Sequence, residues 1–270
     1  MTILDSDVEL ARQSDIIFSV VPPRDAVETA QRIIDALPGA GRPGDKPLYF
    51  ADLNAVAPST TKRIAALFAR DAASVRFVDG SIIGGPPSLR PAADEGGEAK
   101  WYRPLVPTSG PHDLSAFPGL EETLNGRHIS ADVGAASGLK MCFASMSKGY
   151  SAIATQAFTT AHQLGVLADL RWALGEMAPA RVRQTEASLT GMPPKAYRWV
   201  REMEEISATF AEEGGFEPDL FRGVAGVFRA VTEDTVLGRE KVGKRTRGTT
   251  AEDVAAAVAE GLAAKRKKTD

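Results

Sequence analysis

Along residues 1–130, short apolar runs alternate with segments whose apolar residues recur every three or four positions. Asp15-Ile16-Ile17-Phe18-Ser19-Val20-Val21 is a near-continuous β-rich run, the pattern of a strand buried in a parallel sheet. Pro22-Pro23 stops it. Asp25, with Glu28 three residues on, predicts a capped helix start, and Ala26, Ala30, Ile33, Ile34 and Leu37 form that helix's stripe up to Gly39–Gly44. Pro47–Ala51 reads as a second strand running into Asp52-Leu53-Asn54. Pro58 then opens a helix that buries Ile64, Leu67 and Phe68. Val75–Asp79 reads as a third strand. Three strand–helix units in a row predict a right-handed parallel α/β layer. Residues 88–103 are polar and predict a mobile loop, with two more short strands at Leu105–Ser109 and Arg127–Ser130.

After residue 131 the pattern becomes helical. Gly138 to about Leu170 is apolar on most faces (Leu139, Met141, Phe143, Met146, Ile153, Phe158, Leu164), which predicts a helix buried between domains or subunits. Amphipathic helices follow at Arg198–Glu212, Pro218–Leu237 and Ala251–Ala264. The expected organisation is an α/β domain over 1–131 and an all-helical domain over 132–270.

Composition narrows this picture. The chain has 270 residues, 43% hydrophobic and 25% charged, enough for one large or two modest domains. A net charge of −3 gives no reason to expect nucleic acid or an anionic membrane as partner. The Lys265–Lys268 tail and the basic stretch Lys241–Arg247 lack the aromatic interleaving of a nucleic-acid groove. No apolar run reaches the length of a membrane span. The single cysteine, Cys142, excludes an internal disulfide and fits the cytoplasm; lying in an apolar run, it is expected in the core.

Candidate chemistry gathers at the predicted strand ends, where ligands sit in open parallel sheets. Those ends are Val21-Pro22-Pro23, Asp52-Leu53-Asn54 and Asp79–Pro86. Asn54 brings a donor and an acceptor, and Gly84-Gly85 permits close backbone approach to a ligand. Gly39–Gly44 matches G-x-G-x-x-G but follows a helix and carries Pro43, so it reads as a surface loop. Lys140, early in the long apolar helix, suits a cleft where an amine gives a proton to a carbonyl or holds a carboxylate. Ser145, Ser147 and Lys148 follow one to two turns on. His112, His128 and His162 show no metal-ligand spacing, and no metal is expected.

These segments, in this order, resemble the β-hydroxyacid dehydrogenases, the 6-phosphogluconate dehydrogenase-like NAD(P)-dependent oxidoreductases. Asp15–Pro22 resembles the fourth strand and cofactor loop, and Asp52–Pro58 the D-x-S/N-T-x-x-P segment. Asp79–Gly85 resembles the substrate-loop D-x-x-x-x-G-G, and Gly134–Lys140 the interdomain helix with its lysine. Pro194–Phe210 is similar to the phosphogluconate-dehydrogenase-type helical domain of one branch. The resemblance implies a partial Rossmann-like parallel sheet lacking its first strands, followed by an all-α C-terminal domain. It implies NADP or NAD as cofactor and a small hydroxy acid, carbonyl or imine as substrate. Lys140 is then the catalytic acid–base. Ser81, Gly84, Gly85 and Ser147 bind substrate, Val21, Pro22 and Asn54 line the nicotinamide, and the chain forms a homodimer. The chain departs from the family at Ala55 (usually threonine), Ile83 (usually serine) and Ala144 (usually asparagine). Because Met1–Ser14 stand where a glycine-rich phosphate loop is expected, binding of NAD(P) is expected to be weak or nil. The alternative from another class is a non-catalytic dimerisation or binding module.

Overall fold

The computed structural model describes residues 2–42, 46–91 and 99–269. The chain forms two compact units, Met1–Phe143 and Ala144–Asp270. The first holds α1 (Asp7–Gln13), β1 (Ile16–Ser19), α2 (Ala26–Ala40), β2 (Tyr49–Asp52), α3 (Pro58–Asp71) and β3 (Arg76–Gly80). It continues through β4 (Ser88–Arg90), β5 (Lys100–Tyr102), β6 (Val106–Ser109), α4 (Leu120–Leu124), β7 (Gly126–Ser130) and the start of α5 (Ala135–Gln163).

The main sheet has the order β1-β2-β3-β6-β7. β1, β2 and β3 are parallel, as the strand–helix alternation predicts. β6 runs antiparallel to β3, so the layer is mixed rather than wholly parallel. The register sets Ile17, Phe50 and Phe77 side by side on one face. There they meet Ile33, Ile34, Ile64 and Phe68 of α2 and α3, with the Phe50 and Phe68 rings 4.7 Å apart. The alternate residues Tyr49, Ala51 and Val78 face Val106 and Leu114 on the other side, as the two-residue period of a strand requires.

Four expectations are corrected. Asp25 does not cap α2: Pro23–Asp25 forms a 3₁₀ turn, and the Asp25 carboxylate pairs with Arg24 instead. The segment 88–103 is not simply a loop, because Ser88–Arg90 and Lys100–Tyr102 pair as an antiparallel ribbon; residues 92–98 lie outside the described residues. α5 ends at Gln163 rather than near Leu170, since the chain turns at Gly165 (φ +74°) and α6 starts afresh. Cys142 is exposed, because the helical period puts it on the outward arc with Leu139, Phe143 and Met146, opposite buried Met141 and Ala144. Pro43 and Gly44 of the G-x-G-x-x-G match lie outside the described residues.

The second unit contains the rest of α5 with α6 (Leu167–Met177), α7 (Pro179–Gly191), α8 (Ala196–Glu212), α9 (Asp219–Asp234) and α10 (Ala251–Thr269). Its core holds Phe158, Leu189, Met203, Ile206, Phe228 and Val254. The apolar character of α5 does not bury it on all sides, for Met146 is 73% exposed and Ile153 58% exposed. No described helix is long and apolar enough to cross a membrane.

Candidate active site

The carboxyl ends of β1, β2 and β3 place the predicted residues side by side in the first unit. Asn54, buried just beyond β2, donates from Nδ2 to Ser19 Oγ at 2.9 Å and to Asp52 Oδ1. Its Oδ1 accepts the Val21 amide at 2.7 Å. The carboxamide thus ties the turn after β1 to the end of β2. Val21 is half-buried, while Pro22 is exposed and Val20 is 60% exposed, so the turn shows apolar surface.

Asp79, at the end of β3, is fully buried and gathers five donors. Oδ1 accepts from Ser137 Oγ (2.6 Å) and Thr61 Oγ1 (3.4 Å). Oδ2 accepts from Ser109 Oγ (2.7 Å), the Gly134 amide (2.9 Å) and the Ser137 amide (3.4 Å). A carboxylate on the amides at the start of α5 satisfies donors that the helix cannot pair internally and complements its dipole. Ser109 Oγ accepts from the Ala136 amide, and Ser81 Oγ donates to the Ala136 carbonyl at 3.1 Å. The first turn of α5 is therefore stitched to β3, β6 and the loop after β3.

One turn on, half-buried Lys140 donates from Nζ to the Ile82 carbonyl at 2.7 Å. This sets its ammonium on the loop Ser81–Gly85. The far end of the loop is held by β5, where the Tyr102 hydroxyl accepts the Gly85 amide at 3.2 Å. Gly84 has φ +128°, a backbone conformation that favours glycine, and an added Cβ would also push on the Tyr102 hydroxyl. The Arg90 guanidinium lies over the Tyr102 ring, 4.1 Å from its centre.

Ser81, Gly84 and Gly85 thus share one loop, which Lys140 of α5 reaches through the Ile82 carbonyl, and Val21, Pro22 and Asn54 share the neighbouring strand ends. Ser147 lies in the second unit and donates to the Ala144 carbonyl at 3.2 Å, the local bond of a helical serine. Sequence reasoning placed Asp52 and Asp79 at strand ends without giving them a role, and missed Ser109, Ser137 and Tyr102. An acid closing an otherwise apolar strand was the available signal. Asp52 shows its force: burial pushes its carboxyl up to about 7, the bonds from Asn54 pull it down, and neighbouring Asp79 adds to the rise. Among the described residues no cluster of three or more His, Cys, Asp or Glu is placed to hold a metal.

Comparison with known proteins bears on the fold. A family model described as a domain of unknown function, DUF1932, matches residues 161–231. A conserved hypothetical protein from Sinorhizobium meliloti 1021 superposes with a TM-score of 0.64 at 21% identity, covering 96% of this chain and 79% of its own. The conserved protein MTH1747, whose structure is described as similar to 3-hydroxyacid dehydrogenases, gives 0.55 at 23% identity over 84% of this chain and 79% of its own. The 3-hydroxyisobutyrate dehydrogenase of Mycobacterium tuberculosis gives 0.59 at 16% identity over 94% and 82%. The fold is that of the 3-hydroxyacid dehydrogenases. No curated protein matches the chain. Within the dehydrogenase fold, the parallel strands β1–β3 carry the candidate site at their carboxyl ends, and the helical region follows.

Proposed function

We propose that the protein is an NAD(P)-dependent oxidoreductase acting on a small hydroxy acid, carbonyl or imine. The observation that carries this reading is Lys140, whose Nζ sits on the Ile82 carbonyl beside the Gly84-Gly85 backbone. An ammonium beside exposed glycine backbone can hold a carboxylate and move a proton at the neighbouring oxygen or nitrogen. The neighbouring strand ends suit the nicotinamide end of the cofactor, since exposed Val20 and Pro22 offer an apolar wall beside the fixed Asn54 carboxamide. When bound, the nicotinamide supplies or takes the hydride. Lys140 gives its proton to the substrate during reduction and recovers it during oxidation. The Gly85 amide, now on Tyr102, turns to the substrate carboxylate. Ser81 keeps the loop at its height under α5.

A second reading, a non-catalytic dimerisation module, draws on exposed Met146 and Ile153 on the part of α5 in the second unit, apolar surface of the kind a second copy covers. Titration of labelled protein with NADPH and NADH, followed by NMR, separates the two. Saturable shifts at Val21 and Asn54 support the oxidoreductase and overturn the expectation, drawn from the sequence, that NAD(P) binds weakly or not at all. Lys140→Ala is then expected to keep cofactor affinity within about twofold and to lower turnover about 100-fold or more. No shift at millimolar cofactor, with a dimer by sedimentation, replaces the enzyme with the module.

A further inference from the structure

Asp52 closes β2 in register with Ser19 of β1 and Asp79 of β3. It is buried, and its two oxygens differ. Oδ1 accepts both the backbone amide of Asn54, at 3.2 Å, and the Asn54 side-chain amide. Oδ2 is buried without a hydrogen-bond partner. An orphaned carboxyl oxygen is costly, and an apolar strand end would avoid that cost. What the acid achieves lies along its one used oxygen. With Nδ2 engaged by Asp52 and Ser19, the Asn54 carboxamide can present only Oδ1 to the Val21 amide. Turned over, it would set an NH₂ group against the Val21 N–H and an oxygen against Asp52 Oδ1, and lose both of those bonds.

We propose that Asp52 is a positioning residue that holds the Val21–Pro22 turn in place through Asn54, and that the grip tightens when Asp52 gives up its proton. Ionisation turns Oδ1 into a charged acceptor, whose hydrogen bonds are about twice as strong as neutral ones. The proton comes off near neutrality because the site is dry. Asp79 on β3 is the charged group acting on Asp52, while β1 and the segment after β2 face it with the uncharged Ser19 and Asn54. That the turn serves a nicotinamide cofactor rests on the reading above; the positioning itself does not.

The test uses the whole chain, ¹⁵N-labelled and free of cofactor, between pH 5.5 and 8.5. The Val21 amide is expected to shift with a midpoint near 7 and to gain exchange protection, corrected for intrinsic rate, as pH rises. Asp52→Asn keeps the shape and removes the acid, so the Val21 titration should vanish while other amides stay dispersed. Asn54→Ala should cut Val21 protection about tenfold, the effect of one lost hydrogen bond. A Val21 amide that is flat with pH in the unaltered protein, or that titrates alike in Asp52→Asn, overturns the proposal. NADPH and NADH affinity at pH 6 and pH 8 is the second readout, expected to be tighter at pH 8 in the unaltered protein only. If Val21 titrates as stated and neither nucleotide binds, the positioning stands and the cofactor reading falls.

Discussion

At the carboxyl ends of β2 and β3, two carboxylates are buried among hydroxyls and amides. On α8, the buried carboxylates of Glu202 and Glu205 each meet a cation, Lys148 from α5 and Arg201 one turn back. The helical unit neutralises its buried charge with an opposite charge; the sheet unit disperses it over neutral dipoles or, at Asp52, leaves one oxygen unpaired. Desolvation pulls the Lys148 ammonium below its usual value, and Glu202 works against that fall. The Trp199 ring, 5.4 Å from the same nitrogen, adds a weaker attraction. The Lys148–Glu202 pair ties α5 to α8, whereas the dipoles aimed at Asp79 tie the backbone at the start of α5 to the sheet. The candidate chemistry lies on the second kind of site.

The sharpest way to break the contrast is Asp79→Ala. It strands the Gly134 and Ser137 amides and three hydroxyls at once, and is expected to cost roughly 3–5 kcal/mol in urea unfolding. The helical counterpart, Glu202→Gln, leaves a buried ammonium without its carboxylate and should cost roughly 3 kcal/mol. Replacing both partners, Lys148→Met with Glu202→Leu, should recover most of that loss. A double change as damaging as the single one would mean that the pair, like Asp79, matters for more than charge.

Asp52→Asn is the smallest of the three and has the opposite sign. Its folded value near 7 lies above the ordinary 3.8, so below about pH 4 both folded and unfolded chains hold the proton and nothing is lost. Between about 4 and 7 the unfolded chain sheds the proton that the folded chain keeps, and stability falls as pH rises. Above 7 the penalty is complete, with an upper bound of roughly 4 kcal/mol from the two values. The variant escapes it, so its gain should be absent at pH 4, grow towards pH 7 and reach about 2 kcal/mol at pH 8, measured as the difference in urea midpoints.

The same contrast explains what could be read from the sequence. β1, β2 and β3 were legible because Ile16–Ser19, Tyr49–Asp52 and Arg76–Gly80 lie in apolar runs closed by proline, glycine or an acid. Lys140 and the Gly84-Gly85 loop stood out in the sequence as candidates, and the structure sets the Lys140 Nζ on the Ile82 carbonyl of that loop. The ring of donors on Asp79 was not, because Thr61, Ser109, Gly134 and Ser137 lie 18 to 58 residues away and nothing local to them announces a shared partner. The β4–β5 ribbon escaped because its residues are mostly exposed and show no two-residue alternation. Cys142 misled because an apolar run says nothing about which arc of a helix faces outward.

Those long separations also bear on the order of folding. Each donor that reaches Asp79 closes a loop, and loop closure costs entropy before the contact repays it. The cap on α5 needs β3, β6 and the start of α3 already in place, so it belongs to the late events of assembly. A helix of 29 residues can form its middle early, yet the turn that carries Lys140 to its loop waits for the sheet. The first turns of α5 are therefore expected to be finished last, when the strand ends they are tied to already exist.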